Sequence, residues 1–187
     1  MFDPTRYYDL EGYVFDVVHH RFHEDGSIGA FDFFSIVIWK ANRAKSTIAR
    51  RLLQRDRLHR RQLEPIVRDI TKALFAASGA RERLQVLVED WGFRLPMASA
   101  ILSVFWPGEL SVYDVRVCEQ LQGFHGLQNR THFSSLWSGY QEYIAAVQQA
   151  VPSTLSLRDK DRYLWASSVA EQLQRDIAVN FGSDDSA

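Results

Sequence analysis

Apolar residues return every three or four positions along most of the chain, and short glycine-, proline- or charge-bearing breaks separate the runs, the pattern of a helical protein. Tyr8, Tyr13, Val14, Val17, Val18 and Phe22 keep this spacing up to Asp25-Gly26, with Asp3-Pro4 as cap and first turn. Ile66, Val67, Ile70, Leu74 and Phe75 repeat it between Glu64-Pro65 and Gly79, and Leu84, Leu87, Val88 and Trp91 repeat it up to Gly92. Phe133, Leu136, Trp137, Tyr140, Tyr143, Ile144 and Val147 form a further run. After a Ser156 cap, Leu157, Tyr163, Leu164, Trp165, Val169, Leu173, Ile177 and Val179 recur helically. Ser46 or Thr47 caps a short helix that sets Ile48, Ala49, Leu52 and Leu53 opposite Arg50, Arg51 and Arg55. The run Phe33 to Trp39 is β-branched and aromatic, and its period does not separate strand from helix; with helical neighbours we read it as a buried helix capped by Asp32. The pattern predicts about eight to ten helices and no strand. The expected fold class is all-α, with one compact helical domain over residues 1–181 and a disordered acidic tail over 182–187.

The stretch from Trp91 to Leu121 organises the rest. Gly92 suits a helix stop, because glycine enters the left-handed region cheaply, and Pro96 suits a first helical turn. Two helices, near residues 81–91 and 97–106, therefore meet in a hairpin, and Ala98, Ser99 and Ala100 let their backbones approach. Pro107-Gly108 makes a second turn, and Asp114 opens the next helix. The glycine-bearing segment from Gln122 to Arg130 reads as a loop.

The 187 residues, 46% hydrophobic and 13% aromatic, suit a globular core. With Cys118 as its one cysteine the chain has no internal disulfide, and a reducing, cytoplasmic setting is expected. No stretch has the make-up of a signal peptide or of a membrane span. The net charge is only −1, but it is segregated. Between Lys40 and Gln62 nine basic residues face the single acid Asp56, leaving 13 basic and 22 acidic residues elsewhere. Such a patch fits either a polyanionic partner or a solvated helix face.

The pattern Gly92…Pro96-Met97-Ala98-Ser99-Ala100-Ile101-Leu102, followed by Val112-Tyr113-Asp114-Val115-Arg116-Val117, resembles the helix-hairpin-helix DNA glycosylase superfamily. Within that superfamily the chain is similar to 8-oxoguanine-glycosylase-like proteins that pair a Trp-Lys-x-x-Arg segment with an Ala-Ser-Ala-Ile-Leu helix. The resemblance implies a glycosylase-type helical fold acting on double-stranded DNA, in a nucleoid-associated monomer without cofactor. It implies that the hairpin, at Gly92, Phe93 and Arg94, offers backbone N–H groups to a phosphate. It further implies that Asn42 and Arg43 wedge into the duplex, and that Asp114 is the catalytic carboxylate. Lys40, Lys45, Arg50 and Arg51 complete the expected DNA-binding set. Lys40 is also placed to touch the reacting sugar, or is an ordinary lysine at a helix end. The family's second hairpin glycine is Arg94 here and its lysine nucleophile is Pro96, which excludes strand cleavage through a lysine at that position.

Asp114 carries two readings. A carboxylate beside the sugar stabilises positive charge on C1′ as a glycosidic bond breaks, and an aspartate is equally among the best helix caps. Tyr113 and Trp106 are candidates to stack on a flipped base, against an ordinary role in the core. His19, His20 and His23 lack the acid of a zinc-protease pattern and read as surface residues, so no metal site is assigned. One cysteine cannot hold an iron–sulfur cluster. Two functional expectations stand: a monofunctional DNA N-glycosylase, or a non-catalytic DNA-binding or complex-forming module on the same scaffold. Action on RNA or a free nucleoside is a third.

Overall fold

The computed structural model describes residues 4–152 and 154–180, and every regular element among them is helical. The Asp3 cap and the tail from residue 182 lie outside the described residues. The chain groups into two compact units, Met1–Leu110 and Ser111–Ala187, a division that the periodicity does not mark.

In the first unit a helical run passes from α1 (Leu10–Gly12) through a π-helical turn, Tyr13–Val18, into α2 (His19–Asp25), and stops at Gly26 with φ +67°. The chain continues through α3 (Ala30–Ala41), α4 (Lys45–Arg55) and α5 (Leu63–Ala76). Next comes α6 (Ala80–Gln85), prolonged by a π-helical turn at Val86–Asp90, and then α7 (Leu95–Phe105). The core is built on α7. Ten of its eleven residues are buried, as expected of a helix apolar on every side, and its Ala98, Ser99 and Ala100 admit close neighbours. Phe105 stacks on Phe22 with ring centroids 3.8 Å apart. The ambiguous run from Phe33 to Trp39 is helical, within α3, with Phe33, Ile36 and Val37 fully buried.

Two expected caps are corrected. Asp32 does not cap α3, which starts at Ala30 after an extended Gly29. Glu64, from α5, supplies the acceptor for the Ala30 amide at 2.7 Å, so Asp32 falls inside the helix and turns into the protein. There it accepts a 2.6 Å bond from the Tyr13 hydroxyl and pairs with Arg21. Burial and this carboxylate together push the Tyr13 phenol well above its usual range. Neither Ser46 nor Thr47 caps α4, because a 3-10 turn at Asn42–Ala44 runs straight into it. Phe75, expected in the core, sits at its margin, 48% exposed.

In the second unit, Ser111 to Asp114 is an extended segment pinned by two buried tyrosines. Tyr140 donates to the Ser111 carbonyl at 2.6 Å and Tyr143 to the Val112 carbonyl at 2.7 Å. The elements are α8 (Val115–Gln120), α9 (Phe133–Ala150) and α10 (Leu157–Arg175), and α8 and α9 both pack on α10. Ser156 caps α10, its hydroxyl accepting from the Asp159 amide at 3.1 Å. The buried face of α10 is not its aromatic one. Leu157, Lys160, Asp161, Leu164 and Ser168 are buried, whereas Tyr163, Trp165 and Leu173, and Ile177 in the π-helical turn that follows, are exposed. The buried charges are satisfied locally: Asp161 pairs with Arg158, and Lys160 donates to the Gln148 carbonyl in the last turn of α9, where a cation is favoured.

Candidate nucleic-acid interface

The hairpin begins where the helical run from α6 ends. Gly92, at φ +69°, turns the chain, the Trp91 amide donates to Val86, and the Phe93 amide donates to Leu87 at 2.8 Å. The Phe93 ring is buried, edge-on to Phe33 at 6.0 Å. Its amide therefore closes the helix end, and the exposed residue of the turn is Arg94, which leads into α7 with Pro96 in the first turn.

Helix α4 packs its basic side on this turn. Arg51 donates to the Gly92 carbonyl at 3.0 Å, and one Arg55 nitrogen donates to the carbonyls of Glu89 and Asp90 at 3.2 and 3.1 Å. Two cations thus cap a helix C-terminus, where the carbonyls and the helix dipole favour positive charge. A Cβ on Gly92 would lie 2.5 Å from the centre of the Arg55 guanidinium. Gly92→Ala is accordingly expected to lower stability by about 1–2 kcal/mol, from the left-handed backbone and the displaced arginine together. Thermal unfolding checks this, and an unchanged midpoint would mean that the turn relaxes without loss.

Of the remaining predicted DNA-binding residues, Arg43, Lys45 and Arg50 are exposed. Asn42 is exposed in the 3-10 turn, where its side-chain oxygen accepts from Lys45 at 3.1 Å. Lys40 is half-buried in the last turn of α3. The expected wedge loop is in fact a helical turn between α3 and α4.

The loop between α4 and α5 carries no motif in the sequence, and its shape comes from one buried carboxylate. Buried Asp56 accepts bonds from the amides of Leu58 at 3.3 Å and Arg60 at 2.7 Å, and from the Arg60 guanidinium at 2.9 Å. Around this anchor His59 (φ +51°) and Arg61 (φ +57°) take left-handed conformations that side chains rarely adopt, and Leu58 projects 70% exposed among Arg57, His59 and Arg61. Non-glycine residues held in that region signal a loop shaped by its surroundings. The Arg60 guanidinium, with the amides, holds the Asp56 carboxyl down at about 2. A carboxyl lowered by folding adds stability above its ordinary value near 4, and loses it as pH falls towards its folded value. The loop amides should therefore keep their exchange protection at pH 5 and lose it between about pH 4 and 2. Asp56→Asn should remove that pH dependence, and a dependence surviving in the variant would place its origin elsewhere.

Asp114 belongs to the second unit. It is half-buried, extended (φ −139°, ψ 142°), and caps α8 by accepting from the Arg116 amide at 3.0 Å. Tyr113, only 3% exposed, donates to the Phe124 carbonyl at 2.7 Å, and burial pushes its phenol up to about 12. Its ring packs on Tyr143 at 5.3 Å, which makes it part of that unit's core. Trp106, in the first unit, is half-buried under the Arg83 guanidinium, 3.7 Å from its ring centroid. Burial also raises the Cys118 thiol, leaving it poorly suited to attack as a thiolate.

His19 and His23 close the C-terminus of α7, bonding to the carbonyls of Val104 at 2.8 Å and Phe105 at 2.6 Å. Among the described residues no cluster of three or more His, Cys, Asp or Glu could hold a metal ion, and no helix is long and apolar enough to cross a membrane. Compared with protein-family models, curated proteins and solved structures, the chain matches none.

Proposed function

We propose that the protein binds double-stranded DNA as a monomer and, at the nucleoid, removes a damaged or modified base as a monofunctional DNA N-glycosylase of the helix-hairpin-helix kind. The observation that carries the binding half is the docking of α4 on the hairpin turn through Arg51 and the Gly92 carbonyl. It gathers the exposed Arg43, Lys45 and Arg50 and the Asp56-anchored loop in the same unit as the hairpin. Cations spread over such a surface suit successive phosphates, and an apolar tip such as Leu58 suits insertion between base steps.

The catalytic half rests on the resemblance around Asp114 and on its half-exposed position at the start of a helix. One observation favours the non-catalytic alternative: the Asp114 carboxylate already has a structural task at the Arg116 amide. Incubating the full chain with duplexes that carry single oxidised, alkylated, deaminated or mismatched bases, followed by alkali, separates the two. Strand breaks at one lesion support the glycosylase. Tight duplex binding without alkali-labile sites on any lesion supports the binding module, and absence of duplex binding removes both.

A further inference from the structure

The N-terminus of α3 opens on a cavity of about 320 Å³ in the first unit, far from the basic turn at the other end of the helix. Twelve residues at about 1.5 Å each separate the two ends by roughly 18 Å. Three guanidinium groups line the cavity, from Arg6, Arg21 and Arg68, and two of them are held in place by carboxylates. Asp32, 4% exposed, fixes Arg21, and Glu64, bonded to the Ala30 amide, fixes Arg68 through its Nε at 2.8 Å. Those pairings occupy one nitrogen of each arginine. The terminal nitrogens of Arg68 carry no further bond among the described residues, and Arg21, which also meets the Tyr13 hydroxyl, keeps 43% of its side chain exposed on the cavity.

The wall beside them is aromatic. Phe31 is 61% exposed and meets the Tyr7 ring edge-on at 5.3 Å, while Arg6 lies over the Tyr13 ring at 5.1 Å. Asp25, on the same lining as these arginines, forms no ion pair among the described residues and can accept a hydrogen bond. A preformed guanidinium fork recognises a planar or tetrahedral oxyanion, and aromatic edges recognise a flat ring. Its volume lies at the lower end of the range of small-ligand sites, and half of its twelve lining residues are charged, as suits an ionic ligand.

We propose that this cavity is a binding site for a small ligand in which a planar ring carries an oxyanion, either a phosphate ester or a carboxylate. The oxyanion meets Arg21 and Arg68, the ring lies against Phe31 and Tyr7, and a hydroxyl or amino group on the ligand donates to Asp25. The site is independent of the DNA surface and does not rest on the glycosylase reading.

Calorimetric titration of the full chain with adenosine 5′-monophosphate, 4-aminobenzoate, adenosine and inorganic phosphate tests it. Saturable binding is expected for at least one of the first two, at least tenfold tighter than for adenosine or phosphate. Binding of the nucleotide alone identifies a phosphate ester, binding of 4-aminobenzoate alone a carboxylate, and both support the shared chemistry. Arg68→Gln, Arg6→Ala and Phe31→Ala should each weaken that binding about tenfold with the thermal midpoint preserved, since all three side chains are substantially exposed. Arg43→Ala with Arg50→Ala should leave it unchanged. The proposal is overturned if neither ring-bearing anion binds, if adenosine or phosphate binds as tightly, if the three cavity substitutions have no effect, or if binding depends on Arg43 and Arg50.

Discussion

Asp114→Asn is expected to cut base release by about 100-fold or more on any lesion that the unaltered protein processes, with little change in stability. The substitution separates two tasks that one carboxylate can hold. As a cap, Asp114 needs only an oxygen facing the Arg116 amide, 3.0 Å away, and Asn supplies one about as well. As a stabiliser of a C1′ cation it needs a full negative charge, which Asn lacks. Lesion binding should persist or tighten, because the unreacted complex accumulates. In parallel, borohydride should trap no covalent protein–DNA adduct, and Lys40→Ala should leave base release within a few-fold. A trapped adduct that vanishes in Lys40→Ala would make Lys40 an amine nucleophile and end the monofunctional reading. Intact base release in Asp114→Asn would leave Asp114 a cap alone.

What was legible in the sequence was local. Gly92, Pro96, Asp114 and Ser156 act within a few residues of themselves, so a helix stop, a first turn and two caps could be read from residue type and place. Asp32 could not, because the start of α3 is decided by Glu64, 34 positions away. The partners of the basic stretch were hidden for the same reason. Arg51 and Arg55 look no different from Arg50 in sequence, yet their partners are hairpin carbonyls 34 to 41 positions on, which makes them parts of the turn. In α10 the apolar recurrence includes the buried Leu157 and Leu164 but not their neighbours on that face, Lys160 and Asp161. A charged residue can be buried when a carbonyl or a counter-ion meets it, and neither is visible in a periodicity. Leu58 gave no signal, since its exposure is set by Asp56 gathering the loop amides beneath it.

The division of the arginines gives the binding reading its sharpest test. Arg43, Arg50 and Arg57 are exposed, and Arg50 has only a 3.4 Å bond to the Ser46 carbonyl one turn back. Each phosphate that such a cation neutralises releases counterions and adds about 0.9 to the steepness of log affinity against log salt. The combined Arg43→Ala, Arg50→Ala, Arg57→Ala variant should therefore flatten the slope by up to about 2.7 and weaken duplex binding about 100-fold or more near 0.1 M salt. Its thermal midpoint should hold, because none of the three side chains supports the hairpin. Arg51→Ala should behave in the opposite way, lowering the midpoint through the lost Gly92 contact while the salt slope changes by less than one. Electrophoretic or fluorescence titrations across 50–200 mM salt, beside thermal melts, distinguish the two classes. If the triple variant keeps the full slope, these arginines form a solvated helix face and DNA is not their partner.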